Sequence, residues 1–248
     1  MKLSNVPVNR TILLVTSSVA LAAAMVASAW LLSKFLVKVQ RETTITAKGY
    51  AERTVMSDMG SFSVTVNDQD SDLKRGYGRI TGNIDRVLKL LGEFGFTEAE
   101  ITVGGIRYNK VFRFVNGSPT NDFLYYDLSQ NIRVCSRNVT VISGNYRKLN
   151  ELMKDGIQID VSSPEYFISN PEQYKLELTA AASKSAAARA REMAQAGGAE
   201  LKELLSSRLG VIQINCPASS EMNDYGVYDT STPEKVIKVV VAQEFSTR

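Results

Sequence analysis

The longest apolar stretch of the chain lies near its N-terminus. Residues 11–33 carry no charge and consist largely of Ile, Leu, Val, Ala and Met, with Arg10 before them and Lys34 after them. A helix of this length extends about 34 Å, which is enough to cross the roughly 30 Å hydrocarbon core of a bilayer. The pattern therefore predicts a transmembrane helix within residues 1–41, between an N-terminal stub and a juxtamembrane segment. The residues predicted to form the membrane anchor are Ile12, Leu13, Leu14, Val15, Val19, Leu21, Met25, Val26, Trp30, Leu31 and Leu32.

A cleavable signal peptide is the alternative interpretation of this stretch. Residues 22–24 and 27–29 match the small-x-small pattern of a cleavage site. The apolar run continues past both of them, however, and Trp30 and Lys34 suit the membrane interface, so an uncleaved signal anchor is favoured. Basic residues flank the stretch almost equally on its two sides, and the positive-inside rule therefore leaves the orientation open.

Beyond the apolar stretch, the period of the apolar positions changes between that of strands and that of helices. The clearest helical period covers residues 73–91, which begin after Asp72 and end before Gly95. Two long alternating runs, residues 101–115 and 123–137, flank turn-forming residues and predict an extended hairpin. The other predicted strands are residues 43–52, 55–67, 158–168, 208–215 and 235–245, and the other predicted helices are residues 146–154 and 171–196.

This order of elements predicts the α+β class. The expected architecture is an N-terminal transmembrane helix followed by mixed, mostly antiparallel sheets that are packed by two long helices. Residues 42–248 contain no Gly/Ser linker, so we expect one α+β domain of two interlocked lobes. The alanine-rich middle of the last helix, residues 180–190, suits close packing, which we favour over a subunit contact.

Two segments are candidates for contacts between copies of the chain. Residues 217–233 are polar, carry Tyr225 and Tyr228, and lack a periodic pattern over a length that is unusual inside a compact domain. Disorder explains such a loop in a monomer, whereas an oligomer would use it as a contact. The turn of the predicted hairpin, with Asn116 and Pro119, is the second candidate.

Charge limits the classes of partner. The chain has 29 Lys and Arg against 26 Asp and Glu, but five of the bases and none of the acids lie within residues 1–41. The remaining part therefore carries a net charge of −2. Because a nucleic-acid-binding domain needs a basic face, we expect no nucleic acid among the partners.

The residue types that usually carry catalysis are scarce. The chain contains no histidine and two cysteines, which argues against Ser-His-Asp and Cys-His nucleophile systems and against nitrogen-ligated zinc sites. Asp68, Asp70 and Asp72 lack the glycine and glutamate of a helix-loop-helix calcium loop, so we favour a role at the helix dipole for them. Cys135 and Cys216 leave a disulfide and two isolated thiols as alternatives. We expect a protein without enzyme activity, catalytic residues, cofactor or metal.

Four segments carry local patterns that occur together in one known family. Residues 45–52 are similar to an opening Val-x-Gly-x-Gly strand, with Ala47 in place of the first glycine. Residues 58–64 resemble a segment that leads into a second strand, and residues 126–134 resemble a Tyr-x-Ala-x-Gln strand. Residues 180–201 look like a long alanine helix that stops at glycine. Together these segments resemble the SIMPL-domain family, a domain of unknown function typified by periplasmic and outer-membrane-associated immunogenic proteins.

The resemblance implies an envelope protein of Gram-negative type without known catalytic residues. It also implies a single-pass protein of the inner membrane with a cytoplasmic N-terminus and a periplasmic soluble domain, or a secreted periplasmic protein if the helix is cleaved. Some members of the family assemble into large ring-like or channel-like homo-oligomers. The expected function is therefore a membrane-anchored, self-assembling scaffold whose partners are the lipid bilayer, its own copies and other envelope proteins. A monomeric module that binds a ligand or a protein is the alternative.

Overall fold

The computed structural model describes residues 10–40, 43–217, 219 and 223–248. The predicted N-terminal stub and the side chains of Ile12, Leu13 and Pro119 lie outside the described part. Its helices and antiparallel sheets confirm the α+β class. The helices are α1 (Arg10–Gln40), α2 (Leu73–Glu93), α3 (Val139–Asn145) and α4 (Pro171–Ala196), with 3₁₀ helices at Glu98–Glu100 and Tyr146–Asp155. The strands are β1 (Thr43–Met56), β2 (Met59–Asp70), β3 (Ile101–Val103), β4 (Arg107–Val115), β5 (Ser118–Ser136), β6 (Gln158–Val161), β7 (Glu165–Phe167), β8 (Leu201–Leu209), β9 (Gln213–Asn215) and β10 (Glu234–Thr247).

α1 is a long apolar helix. Its segment Leu14–Lys34 is long and apolar enough to cross a membrane, and no part of that segment is buried. At its end, the ammonium of Lys34 lies 3.9 Å from the centroid of the Trp30 ring. This length and composition suit either a membrane anchor or a signal sequence. Two residues connect the end of α1 to the start of β1.

The larger sheet is antiparallel and centres on β2. Its order is β3-β5-β2-β6, with β4 also paired to β5 and β7 also paired to β2. Val64 of β2 lies opposite Ile132 of β5 and Val161 of β6. Alternation along β2 buries Phe62, Val64 and Val66 on one face and leaves polar side chains on the other.

α2 covers the apolar face of this sheet and confirms the predicted helix. The side chain of Asp72 accepts a hydrogen bond from the backbone N of Arg75 and caps the first turn. Gly95, with φ of 93°, follows the end of the helix. Each large apolar side chain that is buried here contributes roughly 1.5–3 kcal/mol, so the helix is held by its packing on the sheet. The residues of α2 in the shared core are Ile80, Ile84, Val87 and Leu91.

The smaller sheet has β10 in its middle. Its order is β1-β10-β8, and β9 also pairs with β10. Every second residue of β10 is buried, from Lys235 to Thr247, which confirms the strand predicted from its alternation. β8 runs antiparallel to β10, with Leu209 opposite Val241 and Arg208 opposite Ala242.

α4 begins at Pro171 and carries a stripe of buried alanines, which supports the close-packing interpretation. Ala190 packs against Ala47 of β1 and Phe245 of β10. The small side chain of alanine lets the helix backbone approach the sheet closely. The expectation of two long packing helices is therefore confirmed in part, by α2 and by the second half of α4. The alanines of the stripe, each at most 1 % exposed, are Ala182, Ala186, Ala190 and Ala194.

The contacts between backbone positions divide the chain into two units. The first comprises Met1–Gly49, Ser183–Leu209 and Val241–Arg248, and the second comprises Tyr50–Ala182 and Gly210–Val240. The first unit contains α1 and β8, and the second contains the larger sheet, α2 and β9. The boundaries fall inside β1, α4 and β10, so each of these elements contributes residues to both units.

The strand predicted over residues 208–215 is confirmed only at its two ends, residues 208–209 and 213–215. The structure instead has β8 and β9, separated by three residues. Leu201, Leu204 and Leu205 recur at intervals of three and four, as in a helix, and the residues of β8 are mostly exposed. β8 therefore lacks the alternation by which a half-buried strand is recognised.

Other elements also differ from their predicted bounds, among them the run of residues 101–115, which is interrupted and forms β3 and β4. The strand predicted at residues 158–168 is interrupted and forms β6 and β7, and the helix predicted at residues 146–154 is a 3₁₀ helix. The turn predicted at residues 116–121 is shorter. It consists of Asn116 and Gly117, with φ of 50° and 80°. Positive φ at both positions is the geometry of the tight type I′ hairpin turn, which an Asn-Gly pair favours.

Candidate interaction surface

The acids that precede α2 bind arginines of α2. Asp70 accepts a hydrogen bond from Nε of Arg75 at 2.8 Å and forms an ion pair with Arg79 at 2.9 Å. Asp68 pairs with Arg79, also at 2.9 Å. The hydrogen bonds from Arg75 hold the pKa of Asp70 well below its usual range. Of the three acids predicted to interact with the helix dipole, Asp72 caps the helix. Asp68 and Asp70 instead form ion pairs with arginines of α2.

A second polar cluster lies beside β9. The thiol of Cys216 donates to the carboxylate of Asp229, and this hydrogen bond, together with burial, raises the pKa of the thiol. Asp229 also accepts from the backbone N of Ser231 at 2.7 Å, and its hydrogen bonds with Ser231 lower its pKa to about 2. A thiol with a raised pKa is a poor nucleophile at neutral pH. Cys135 and Cys216 are both free thiols.

Lys235 joins this cluster from β10. It is fully buried, and its ammonium has no hydrogen-bond partner in the described part of the chain. Burial lowers the pKa of Lys235, and the charge of Asp229 opposes that shift. Val236 lies opposite Asn215, so the next pair in register is Lys235 and Cys216. Lys235 was not predicted as a candidate site residue from the sequence, although it lies in phase with the buried apolar positions of β10.

The four predicted oligomer contacts have different surroundings. Tyr225 is 97 % exposed, and Asn116 is exposed at the hairpin turn. The hydroxyl of Tyr228 instead accepts from the backbone N of Ile168 at 2.9 Å, and its ring stacks on Phe167. Tyr228 therefore stabilises its own chain. A role of these residues between copies stays a prediction.

The described part of the predicted loop is held by backbone hydrogen bonds. Tyr166 donates to the carbonyl of Thr230, and Ser57 donates to the carbonyl of Pro233, each at 2.8 Å. The backbone N of Asp229 donates to Ile214 at the same distance. Residues 223–233 are therefore part of the fold, and the interpretation as a disordered excursion is wrong for them.

β8 is an open edge of the smaller sheet. In the part of the chain that the structure describes, β8 pairs with β10 and has no strand on its other side. Leu204 and Leu205 are each 50 % exposed. Leu205 lies in a β-bulge of β8, because Leu204 pairs with Phe245 and Ser206 pairs with Glu244, so these two leucines do not follow the regular alternation of a strand. Unpaired backbone groups beside exposed apolar side chains are what a further strand needs for pairing.

The comparison with family models identifies the domain. The model of SIMPL, described as a protein of unknown function (DUF541), matches residues 45–244. The chain belongs to the SIMPL family. The match begins in β1 and ends in β10, so the SIMPL domain follows α1 and includes both sheets. None of the curated proteins compared with the chain matches it.

The SIMPL domain also has a shallow cavity of about 420 Å³ beside the interruption between β6 and β7. Ser61, Ser63 and Ser162 line it, together with Arg133 and Glu165. The two charged residues are exposed. A site that holds a small ligand normally encloses most of the ligand's surface, and this cavity does not. The open edge of β8 is therefore the stronger candidate for function.

Proposed function

We propose that this SIMPL protein is a non-enzymatic envelope scaffold, anchored in the bacterial inner membrane by α1, with its domain in the periplasm. Its copies assemble through β8, and the open edge of that strand is the observation that carries the proposal. The apolar segment of α1 supports the membrane anchor. The lack of histidine in 248 residues supports a role other than catalysis.

Pairing of β8 with a strand of a second copy removes two kinds of unfavourable surface. The outward backbone N–H and C=O groups exchange water for a neighbouring strand. Leu204 and Leu205 also pack against the neighbouring side chains of the added strand, which removes part of their contact with water and contributes less than about 1 kcal/mol for each half-exposed leucine. These gains recur at every interface of an oligomer.

The two ends of the smaller sheet differ, which favours a ring over a dimer. β1 lies at one end and β8 at the other. Pairing of β8 with β1 of the next copy is a heterologous contact, which closes into a ring when the rotation between copies divides a full turn. Pairing of β8 with β8 of a second copy gives a closed dimer. The heterologous pairing is the one that produces a ring-like or channel-like scaffold.

A double variant with Leu204→Lys and Leu205→Lys tests the role of β8. We expect the full wild-type chain in mild detergent to have a mass of several chains by light scattering and native mass spectrometry. The double variant is expected to have the mass of one chain, because lysine side chains on an edge strand oppose the addition of another strand. Leu176→Lys is the matched control, since Leu176 is 75 % exposed on α4.

Equal melting temperatures of the double variant and the control show that the substitutions act on association and not on folding. A monodisperse wild-type monomer would contradict self-assembly and would leave the ligand- or protein-binding module as the function. An oligomer that survives the double variant would contradict the role of β8. In that case the contact is sought at Asn116, Tyr225 and Tyr228, which are exposed members of the predicted contact set.

A further inference from the structure

The hairpin of β4 and β5 carries a row of aromatic rings. Tyr108 and Tyr126 meet edge to face, with ring centroids 6.1 Å apart. Tyr126 and Phe123 lie 4.9 Å apart, and Phe123 and Phe112 lie 6.2 Å apart. Because Lys110 lies opposite Tyr126 in the ladder, these contacts run along one face of the two-stranded ribbon. Tyr108 is 55 % exposed, so water reaches the row.

The end of the hairpin is apolar as well. Phe114 is 66 % exposed, and Val115 and Leu124 are also exposed. The two-residue turn at Asn116 and Gly117 keeps the end narrow. Single exposed apolar residues are common on soluble proteins, but a continuous apolar ribbon of this kind marks a binding surface.

The charges of the hairpin indicate what that surface binds. β4 carries Arg107, Lys110 and Arg113, and residues 101–121 contain no acid. None of the three bases forms an ion pair within the described residues. The acids that follow in β5, Asp122 and Asp127, leave the hairpin with a net positive charge. Aromatic rings alternating with Arg and Lys are typical of segments that lie in the headgroup region of a membrane.

We propose that this hairpin inserts its end into the headgroup region of an anionic phospholipid bilayer. Phe114, Val115 and Leu124 enter the boundary of the acyl chains, while Arg107, Lys110 and Arg113 bind lipid phosphates. The inference rests on the membrane anchor of the proposed function, because α1 supplies the bilayer at a high effective concentration.

A second copy of the chain fits this surface less well than lipid does. A two-fold contact between hairpins brings the same residues of both copies together. Lys110 and Arg113 would then approach their own counterparts, with no acid on β4 to separate them. Like charges that face each other across an interface oppose binding. Lipid phosphates neutralise the same bases and leave the aromatic rings in their preferred environment.

Tryptophan fluorescence of the full chain in lipid vesicles tests the proposal, because Trp30 is the single tryptophan of the sequence. The variant with Trp30→Phe and Phe114→Trp places one indole at the end of the hairpin. The vesicles contain phosphatidylglycerol and phosphatidylcholine, and part of the latter is brominated near the headgroup end of its chains. We expect a blue-shifted emission that loses most of its intensity in brominated vesicles. The matched control carries Trp30→Phe and Tyr225→Trp, and we expect its emission to be unaffected by bromine.

Emission from the Phe114→Trp variant that stays red-shifted and unquenched would overturn the proposal. Blue-shifted but unquenched emission would also overturn it, since the hairpin would then be covered by protein, as in a contact with a second copy. Adding Arg113→Glu to the hairpin variant is expected to reduce the quenching. The wild-type chain separates this result from the proposed function: quenching of Trp30 reports on the anchor, and native mass reports on self-assembly.

Discussion

At the residue scale, Asp70 joins β2 to α2 through Arg75 and Arg79. Since the hydrogen bonds from Arg75 lower the pKa of Asp70, its ionised form stabilises the folded state above the unfolded pKa of about 4. This stabilisation is lost as the pH falls from there toward the folded pKa. Asp70→Asn is therefore expected to lower Tm by several degrees near neutral pH, and the difference from wild type shrinks in acid. Thermal unfolding followed by circular dichroism over a pH series measures both effects.

The matched control for this prediction is Asp85→Asn. Asp85 lies on the exposed side of α2 and forms no ion pair in the described part of the chain. Its variant is expected to leave both Tm and the acid dependence nearly unchanged. Equal effects of the two substitutions would show that the net charge, and not the contact with the arginines, controls stability.

The buried charge of Lys235 destabilises the folded state, whereas the charge of Asp70 stabilises it. Because burial lowers its pKa, the folded state binds fewer protons than the unfolded state below the unfolded pKa of about 10.4, and stability rises with pH through that window. Lys235→Met removes the buried charge and is expected to raise the free energy of unfolding near neutral pH by on the order of 1 kcal/mol. The difference in the free energy of unfolding between variant and wild type becomes smaller as the pH approaches 10. Urea unfolding at neutral and alkaline pH measures it, with Lys238→Met as the control on the same strand.

A less stable Lys235→Met variant would show that Asp229 needs the lysine as its counter-charge.

The sequence predicted the apolar core positions of β10 and α2, since each follows a regular period. It did not predict either charged cluster. The contacts of Asp70 and Lys235 depend on where two elements meet in space. The spacing of residues along the chain does not show which side chains come into contact there.

At the element scale, the glycines of α2 have different surroundings. A Cβ on Gly82 would meet no atom within 4 Å, whereas on Gly76 it would lie 2.9 Å from Cδ1 of Leu128 and 3.1 Å from Cβ of Asp70. Alanine favours a helix over glycine by about 1 kcal/mol. Gly82→Ala is therefore expected to raise the free energy of unfolding by about 0.5–1 kcal/mol. Gly76→Ala is expected to gain less or to lower it, and urea denaturation of the two variants measures the difference.

A rise in the free energy of unfolding of the same size for both glycine variants would show that Leu128 moves aside freely.

The elements of the fold differ in how well the sequence predicts them. α2, α4 and β10 bury one regular face, and their periods predicted them. β8 buries little, so its leucines follow a helical period by chance and the strand was missed. Exposed edges are the elements that a search for apolar periods finds least well.

At the scale of the whole molecule, α1 decides where the domain resides. We expect the protein to remain in the membrane fraction after alkaline carbonate washing, because a helix of this length and composition stays in the bilayer. We also expect its N-terminus to lie upstream of residue 22. Immunoblots of the fractions and N-terminal sequencing measure these two outcomes. An N-terminus near Trp30, together with release by carbonate, would identify α1 as a cleaved signal sequence.

The family and the fold class could be predicted from the sequence, because the order of the strands and the alanine-rich helix are recognisable in it. The subunit number of the proposed scaffold could not be predicted in this way. In a ring formed by edge pairing, that number would depend on the angle at which two edges meet. Asn116 and Tyr225 are exposed as a contact requires, and Tyr228 is also 42 % exposed although its hydroxyl accepts a hydrogen bond from Ile168.

Only two residues separate Gln40, the end of α1, from Thr43, the start of β1. Two residues span at most about 7 Å when fully extended, so an anchored domain stays close to the end of its helix. It then diffuses in two dimensions together with its helix. Copies meet at a frequency set by their number per unit of membrane area. Extra lipid in the same vesicles lowers that frequency, whereas a larger volume of surrounding buffer does not.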